Sequence, residues 1–259
     1  MRIPYWHLDA FAEGPLLGNP AGVCMLEAWL DPPAMQRIAA ENALPETAFV
    51  VRERDRWGIR WFSPAVEIDL CGHATLASGH VVLTHREPDA EAVTFHSPGG
   101  ALTVRRAGAR YALDLPARPA QPIAAPPALA AALGARPREV LAARDWLVVL
   151  EREDDVRNLA PDLARIARLP PFAVCVTAPG REVEFVSRFF APRQGIPEDP
   201  VTGSAHCTLA PYWAARLGRT RMRARQLSPR GGALDVTLAG ERVILEGGVR
   251  AYIEGTLTP

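Results

Sequence analysis

Two short stretches of the sequence carry the residues best suited to chemistry, and the two resemble each other. Residues 67–75 read EIDLCGHAT and residues 198–206 read EDPVTGSAH, and the stretches align when Gly72 is matched with Gly203. Each runs from polar residues through a glycine into an apolar helical pattern, which is how a helix begins with backbone N–H groups that lack intrahelical partners. Such groups attract a carboxylate or a phosphate. We therefore expect two helix starts that face each other across a cleft and hold one small acidic substrate.

Glu46, a carboxylate in a turn, is the candidate general acid/base of the sequence. Moving a proton between carbon atoms requires a base that releases the proton again near neutral pH, and burial can raise the pKa of a carboxyl group into that range. From its position alone, a glutamate that follows Pro45 in a turn is more typical of a solvated side chain. The residues by themselves leave both interpretations open.

The aligned stretches argue against an epimerase that uses two thiols. Such an enzyme removes a proton on one face of the substrate and returns one on the other face, so it needs a cysteine at each helix start. The first stretch has Cys71, whereas the second has Thr202 at the matching position. A threonine hydroxyl is far too weak an acid to replace a thiolate. Cys71 itself is typical of a small buried residue.

Composition and charge restrict the class of protein. The chain has 259 residues and a formal net charge of +0, so no overall field attracts nucleic acid or an anionic membrane. No segment has the pattern of a signal peptide or of a bilayer-spanning helix. The four cysteines show no CxxC spacing, which predicts no disulfide scaffold. We expect a cytoplasmic protein with no nucleic-acid or membrane partner.

The residue types disfavour most cofactors. The sequence contains no lysine, which excludes a lysine Schiff base, the usual anchor of pyridoxal phosphate, and the lysine of phosphate-binding loops. Neither glycine turn has the GxGxxG pattern of a dinucleotide site. His73 and His80 lie two helical turns apart, and His206 beside Cys207 offers no ligand spacing. We predict neither a cofactor nor a bound metal.

The pattern of elements predicts an α/β (α+β) fold built twice. Strand-like runs dominate both halves, and each half has one helix that is apolar on all sides, beginning at Gly72 and at Gly203. A helix of that kind has to be enclosed, so we expect in each half a barrel-like curved sheet wrapped around a central helix. Further helices are predicted at residues 127–133 and 138–143.

Residues 117–127 are rich in proline and alanine, lack periodicity and are interpreted as a linker. The predicted domains are therefore residues 1–116 and residues 128–259, related by pseudo-symmetry.

A series of motifs in order along the chain closely resembles one enzyme family. The motifs are DAF at 9–11, GNP at 18–20, LPET at 44–47, FSP at 62–64, CGHAT at 71–75 and EDPVTGSAH at 198–206. Together they resemble the phenazine-biosynthesis-type (PhzF-like) isomerase family over nearly the whole chain. The resemblance implies the diaminopimelate epimerase fold, with the site between two pseudo-symmetric domains, and a cofactor-free isomerase that is commonly a homodimer. In that fold the last strand tends to return to the first domain, which makes residues 253–257 a candidate to do so.

The resemblance also implies roles for individual residues. Glu46 falls on the catalytic glutamate of the family, and Asp199, Ser204 and His73 fall on polar residues that surround the substrate. Asp199 would orient an amine or hydroxyl group or act as a second acid, and His73 would share a proton with the substrate. Ser204 and the backbone amides from Gly203 onward would hold a carboxylate.

Gly72, which opens the first helix, and Asn19, in the GNP loop, complete the predicted substrate site. Each polar residue has an alternative role. Asp199 and Ser204 are good N-cap residues, His73 suits a hydrogen-bonded core position, and Asn19 suits a turn.

The predicted function is cofactor-independent isomerisation of a small, anionic, amino-acid-like substrate by a proton shift through Glu46. The substrate would carry an acidic C–H bond next to a carboxylate or a conjugated system. Two alternatives stay open. One is an amino-acid racemase or epimerase that uses groups other than thiols, and the other is a catalytically silent binding protein for small acids.

Overall fold

The structure, a computed structural model, describes all residues from 1 to 259. The chain divides into two compact units, the first formed by Met1–Leu115 with Glu246–Pro259 and the second by Pro116–Leu245. No helix is both long enough and apolar enough to cross a membrane.

The elements alternate short strands with few helices. The strands are β1 (Ile3–Ala10), β2 (Asn19–Leu26), β3 (Glu46–Glu53), β4 (Arg56–Phe62), β5 (Glu67–Ile68), β6 (Ala92–Ser97), β7 (Gly100–Ala107), β8 (Arg110–Pro116), β9 (Gln121–Pro122), β10 (Glu139–Ala142), β11 (Trp146–Val149), β12 (Val174–Pro179), β13 (Phe185–Ala191), β14 (Ile196–Asp199), β15 (Arg221–Gln226), β16 (Gly232–Ala239), β17 (Arg242–Gly247) and β18 (Val249–Leu257). The helices are α1 (Pro32–Asn42), α2 (Gly72–His85), α3 (Pro127–Leu133), α4 (Glu153–Arg157), α5 (Leu163–Ile166) and α6 (Gly203–Leu217), with a 3-10 turn at Pro192–Gln194.

The first unit is a curved sheet around α2. β1 lies between β18 and β2 and is antiparallel to both, so the end of the chain returns to this unit. β2 pairs with β3 in parallel, β3 with β4 antiparallel, β4 with β6 in parallel, and β7 and β8 follow antiparallel. The short β5 adds a further antiparallel partner to β4. α2 contacts β1, β2, β3, β6, β7 and β18, so the sheet surrounds it.

α2 is buried from Gly72 to Leu83, with only His80 partly exposed. Gly79 packs directly on Val104 of β7, where an added Cβ would lie 2.4 Å from the valine side chain. The close approach of the helix to the sheet therefore requires glycine at this position.

The second unit repeats the order of pairings of the first. β10 and β11 are antiparallel, β11 and β12 parallel, β12 and β13 antiparallel, β13 and β15 parallel, and β15 and β16 antiparallel. The same sequence of orientations runs from β1 to β7, and β14 is a short partner of β13 as β5 is of β4. α6 follows β14 as α2 follows β5. The predicted α/β fold class, with one central helix in each pseudo-symmetric half, is confirmed.

α6 contains Pro211 and continues through it. A proline cannot donate a backbone hydrogen bond, and its ring crowds the carbonyl four residues earlier. That carbonyl, on Cys207, accepts a hydrogen bond from the backbone N–H of Arg118 at 2.7 Å. The chain outside the helix thus satisfies the group that the proline leaves without a helical partner.

The predicted helix at residues 138–143 is wrong. Glu139–Ala142 form β10, which pairs with β11 on one side and with β9 on the other. Strand pairing with distant residues outweighs the local helix preference of this segment. β9 lies within residues 117–127, which group with the second unit.

Candidate active site

Asn19, Glu46 and His73 meet inside the first unit. Asn19 begins β2, Glu46 begins β3, and the parallel pairing of these strands brings their first residues to one edge of the sheet. His73 is the second residue of α2. All three side chains are buried, with Glu46 only 6% exposed. Asn19 Nδ2 lies 3.1 Å from His73 Nδ1, and His73 Nε2 lies 3.2 Å from Glu46 Oε2. The solvated alternative for Glu46 is therefore wrong.

His73 is uncharged in this setting. Burial lowers the pKa of His73 to about 3, and a hydrogen bond to the backbone carbonyl of Pro20 opposes this only in part. The contact between Nε2 and the Glu46 carboxyl group is close, but it is not aligned as a hydrogen bond. It is a contact between a carboxyl group and a neutral ring, since the ring cannot carry the charge that an ion pair requires.

Cys71 and Gly72 complete this cluster at the start of α2. Cys71 is the N-cap residue, its side chain makes no capping hydrogen bond, and its Sγ lies 3.6 Å from His73 Nδ1. Gly72 is the first helical residue, so its N–H belongs to the amides that the helix leaves without a partner. Single donor atoms of Glu46, Cys71 and His73 all lie within 4.8 Å of one another, so these residues could hold a metal ion.

A second polar cluster surrounds the start of α6 in the second unit. Asp199 ends β14, is 6% exposed and accepts a hydrogen bond from the Thr202 hydroxyl at 2.5 Å. Thr202 is the N-cap residue, and Gly203 and Ser204 are the first two helical residues. N-capping is therefore the wrong interpretation of Asp199 and Ser204. Ser204 is half-buried, and its neighbours Gly203 and Ala205 are buried.

Gln226 is a residue of this cluster that the sequence analysis missed. It is 1% exposed, and its Oε1 accepts a hydrogen bond from the Thr202 N–H at 2.8 Å. Its Nε2 donates to the Asp199 carbonyl oxygen at 2.6 Å and to the Thr202 hydroxyl at 3.1 Å. On β15, Met222 and Ala224 occupy the buried positions and Gln226 continues that alternation. A polar residue in an otherwise apolar register was the signal that could have identified it.

The internal repeat extends to individual hydrogen bonds. Arg60 pairs with Glu67 through two hydrogen bonds of 2.7 Å, and Arg188 pairs with Glu198 through the same atoms at 2.7 and 2.9 Å. Each arginine reaches from the end of one strand, β4 or β13, to the start of the loop that leads into the central helix. The two forked ion pairs therefore hold the two helix starts in the same way.

Each central helix also has an equivalent side-chain hydrogen bond to a backbone carbonyl oxygen in its first turn. The Thr75 hydroxyl donates to the Cys71 carbonyl oxygen at 2.5 Å, and His206 Nδ1 lies 2.8 Å from the Thr202 carbonyl oxygen. Burial lowers the pKa of His206 to about 4, so this ring is neutral and donates from Nδ1. His206 therefore closes the first turn of α6.

The comparison with known proteins identifies the family. The PhzC-PhzF family, described as phenazine biosynthesis-like protein, matches residues 8–256. The chain belongs to this PhzF-type family. An uncharacterized isomerase of Pseudomonas aeruginosa is 50% identical over 258 residues, which cover 99% of each protein. The crystal structure of a PhzF-family phenazine biosynthesis protein of Enterococcus faecalis matches with a TM-score of 0.96 and 43% identity over 100% of both chains.

The fold also occurs in a solved structure of lower sequence identity. A predicted epimerase of Pseudomonas aeruginosa has a TM-score of 0.74 at 24% identity, covering 99% of each chain. This likeness concerns the fold alone. With curated relatives named isomerases at up to 50% identity, the PhzF-type chain is an isomerase.

Proposed function

We infer that this PhzF-type isomerase shifts a proton on a small carboxylate-bearing substrate and that Glu46 is its general acid/base. The observation that carries the proposal is the position of the Glu46 carboxyl group, buried at the start of β3 and 3.2 Å from the neutral His73 ring. Burial disfavours the charged form of a carboxylate, which makes a buried carboxylate a better proton acceptor than a solvated one.

In the proposed step, Glu46 takes a proton from a carbon next to a carboxylate or a conjugated system. The electrons of the broken C–H bond stay on the substrate as a delocalised anion. The protonated Glu46 then returns a proton to a different carbon of the same molecule. The Glu46 carboxylate is thereby regenerated. The product differs from the substrate only in the position of one hydrogen and of the double bonds.

Asn19 and His73 position the base. Asn19 Nδ2 lies 3.1 Å from His73 Nδ1, and Nε2 of the same ring lies 3.2 Å from Glu46 Oε2, so the ring lies between the amide and the carboxyl group. An uncharged ring beside the carboxyl group restricts its orientation without neutralising it, since His73 does not carry a positive charge.

We propose that each cluster binds a polar group of a small substrate. In the second unit the amide at Gly203, with the Ser204 hydroxyl, would bind a carboxylate, because the first amides of a helix attract anions, and in the first unit the amide at Gly72 offers the same contact. Asp199, held by the Thr202 hydroxyl, would orient an amine or hydroxyl group or act as a second acid. The substrate class is thus a small acid with an amino-acid-like polar group.

The two halves differ at the position of the base. Arg60 pairs with Phe49 of β3, and its equivalent Arg188 pairs with Val176 of β12, so the counterpart of Glu46 in the second unit is Ala173, which has no acidic group. Likewise Cys71 aligns with Thr202. One strong base in one half supports a proton moved and returned by the same group, and it disfavours a symmetric pair of bases acting on opposite faces.

The test is a screen of small carboxylic acids, with acidic C–H bonds, in deuterated water. The proposal expects NMR to show deuterium at a new carbon together with a shifted double bond, and Glu46→Gln to abolish both. Deuterium uptake at one carbon with loss of optical activity would instead make the protein a racemase with Asp199 as the partner acid. Saturable binding of an acid that stays chemically unchanged would make it a binding protein.

We also propose a cytoplasmic homodimer. None of the four cysteines forms a disulfide and all four are buried, which suits a reducing compartment.

A further inference from the structure

The donor set at the start of α2 combines three ligand types that borderline-soft divalent cations prefer. Cys71 offers a thiol, His73 an imidazole and Glu46 a carboxylate, and one donor atom of each lies within 4.8 Å of the others. Zinc is bound by these three types in proteins. The second unit has Thr202, Ser204 and Ala173 at the matching places, so the donor set is specific to the first unit.

The distances are close to those of a tetrahedral site. Metal–ligand bonds of about 2.0–2.1 Å separate a nitrogen and an oxygen ligand by roughly 3.3 Å. His73 Nε2 and Glu46 Oε2 are 3.2 Å apart, and their alignment is not that of a hydrogen bond. Cys71 Sγ lies 3.6 Å from Nδ1, the other nitrogen of the ring, and one donor atom of each of the three residues lies within 4.8 Å of the others. A cation bound by all three would therefore draw the thiol closer, and water would take the fourth position.

The charges and the second contact of the ring also fit a cation. A carboxylate and a thiolate together supply two negative charges, and a neutral imidazole supplies the lone pair that a metal requires. If the Asn19 side-chain amide turns over, its oxygen accepts a hydrogen bond from Nδ1–H and Nε2 is directed at the cation.

We propose that Cys71, His73 and Glu46 form a binding site for zinc-type divalent cations, and that a bound cation inhibits the enzyme. Binding replaces the thiol proton by the metal and releases that proton to solvent. The cation would coordinate the carboxylate oxygen that accepts the substrate proton. Turnover and metal binding would therefore exclude each other. The inhibitory consequence rests on the proposed role of Glu46, whereas the binding site itself does not.

Cadmium is a suitable probe, because cadmium–thiolate bonds give an ultraviolet charge-transfer band. We expect one equivalent of cadmium to produce this band with the wild type, and zinc to displace it. Cys71→Ser should remove the band, whereas Cys24→Ala, a change at a buried thiol of the same unit, should keep it. His73→Gln and Glu46→Gln should each weaken binding at least tenfold in a calorimetric titration.

The outcomes separate this proposal from the isomerase mechanism. No band with the wild type, or a band that persists in Cys71→Ser, would overturn the metal site whatever the activity. Full turnover by Glu46→Gln together with tenfold weaker cadmium binding would overturn the proposed base and support the site. Unchanged melting temperatures would show that the variants are folded, and Cys71→Ala provides a second test if Cys71→Ser is unstable.

Discussion

Glu46 acquires its environment from residues far away in the chain. The side chain is buried because β3 pairs with β2 and because α2 brings His73 against it, contacts that join residues 19–26, 46–53 and 72–85. Nothing in the local sequence LPET distinguishes this glutamate from a solvated one. The resemblance between motifs could single out the residue, but the burial on which its proposed reactivity depends required the tertiary structure.

Burial of His73 makes the stability of the protein depend on pH. The pKa of His73 in the folded protein is about 3, against 6.5 for the ordinary side chain, so below pH 6.5 the unfolded chain binds a proton that the folded chain does not. Stability is therefore full above pH 6.5 and falls as the pH decreases towards 3. Between pH 7 and pH 5 this one group should remove about 2 kcal/mol from the free energy of unfolding.

Urea unfolding of His73→Gln at both pH values checks this expectation. The variant should lose about 2 kcal/mol less than the wild type between pH 7 and pH 5. His96→Gln, a change at an exposed histidine of the same unit, should leave the wild-type difference unchanged. Equal pH dependence of His73→Gln and the wild type would mean that His73 is not buried as described.

The two forked ion pairs are the clearest feature that the secondary-structure elements of the two halves share. Arg60–Glu67 and Arg188–Glu198 connect equivalent strand ends and loops, but the second pair is more buried, with side chains 10% and 16% exposed against 23% and 38%. Breaking a buried ion pair leaves an unpaired charge, whereas an exposed pair contributes little. The sequence repeat predicted the two helix starts, but it could not show that the arginines would reach the glutamates or how exposed each pair would be.

Because the two pairs differ in burial, the same substitution should have unequal effects on stability in the two halves. Glu198→Gln should lower the free energy of unfolding by about 3 kcal/mol, because Arg188 loses its charge partner in a buried position. Glu67→Gln should have a small effect, because solvent screens Arg60. Chemical denaturation measures both, and equal losses would show that the second pair does not stabilise the start of α6.

Gln226 should act on ligand binding through the turn that it holds. Gln226→Leu leaves the Thr202 N–H and the Asp199 carbonyl without their side-chain partner, so the turn before α6 loosens. We expect KM to rise about tenfold or more with a smaller change in kcat, because the turn presents the carboxylate site rather than the base. Gln226→Glu keeps the acceptor oxygen but loses the amide donor, so its KM should lie between those of the wild type and Gln226→Leu. A loss confined to kcat would contradict this positioning role.

At the scale of the whole molecule, β18 is an exposed strand that suits a second copy of the chain. Every residue from Arg250 to Thr256 is exposed, including Tyr252 and Ile253 on opposite faces. Antiparallel pairing of two copies about Tyr252 would place Arg250 opposite Glu254 of the other copy, twice, on one face of the sheet. An uncovered apolar strand is otherwise an aggregation risk. The homodimer predicted from the family resemblance therefore has a candidate surface.

Charge exchange on β18 tests this surface. Glu254→Arg should convert the dimer to a monomer, because it places like charges opposite each other, and the double variant Arg250→Glu with Glu254→Arg should restore the dimer. Sedimentation velocity measures the mass of each. A monomeric wild type, or a Glu254→Arg variant that remains dimeric, would contradict the proposed interface.

The repeated topology supplies two equivalent helix starts, but the two units differ at the position of the proposed base. The first unit has Glu46 there, whereas the strand register places Ala173 at the equivalent position of the second unit. The duplication of the scaffold was visible in the glycine motifs. The difference at the base position was not visible, because the motifs that align in the two halves do not include residues 46 and 173.

The rate of proton transfer by Glu46→Gln tests the central claim most directly. For whichever acid the wild type isomerises, we compare kcat for deuterium incorporation in the wild type, in Glu46→Gln and in Glu41→Gln, a change at an exposed glutamate five residues earlier. We predict a loss of about 10²–10⁴-fold for Glu46→Gln, the contribution typical of a general acid/base, and no loss for Glu41→Gln. Wild-type kcat in a folded Glu46→Gln variant would contradict the account.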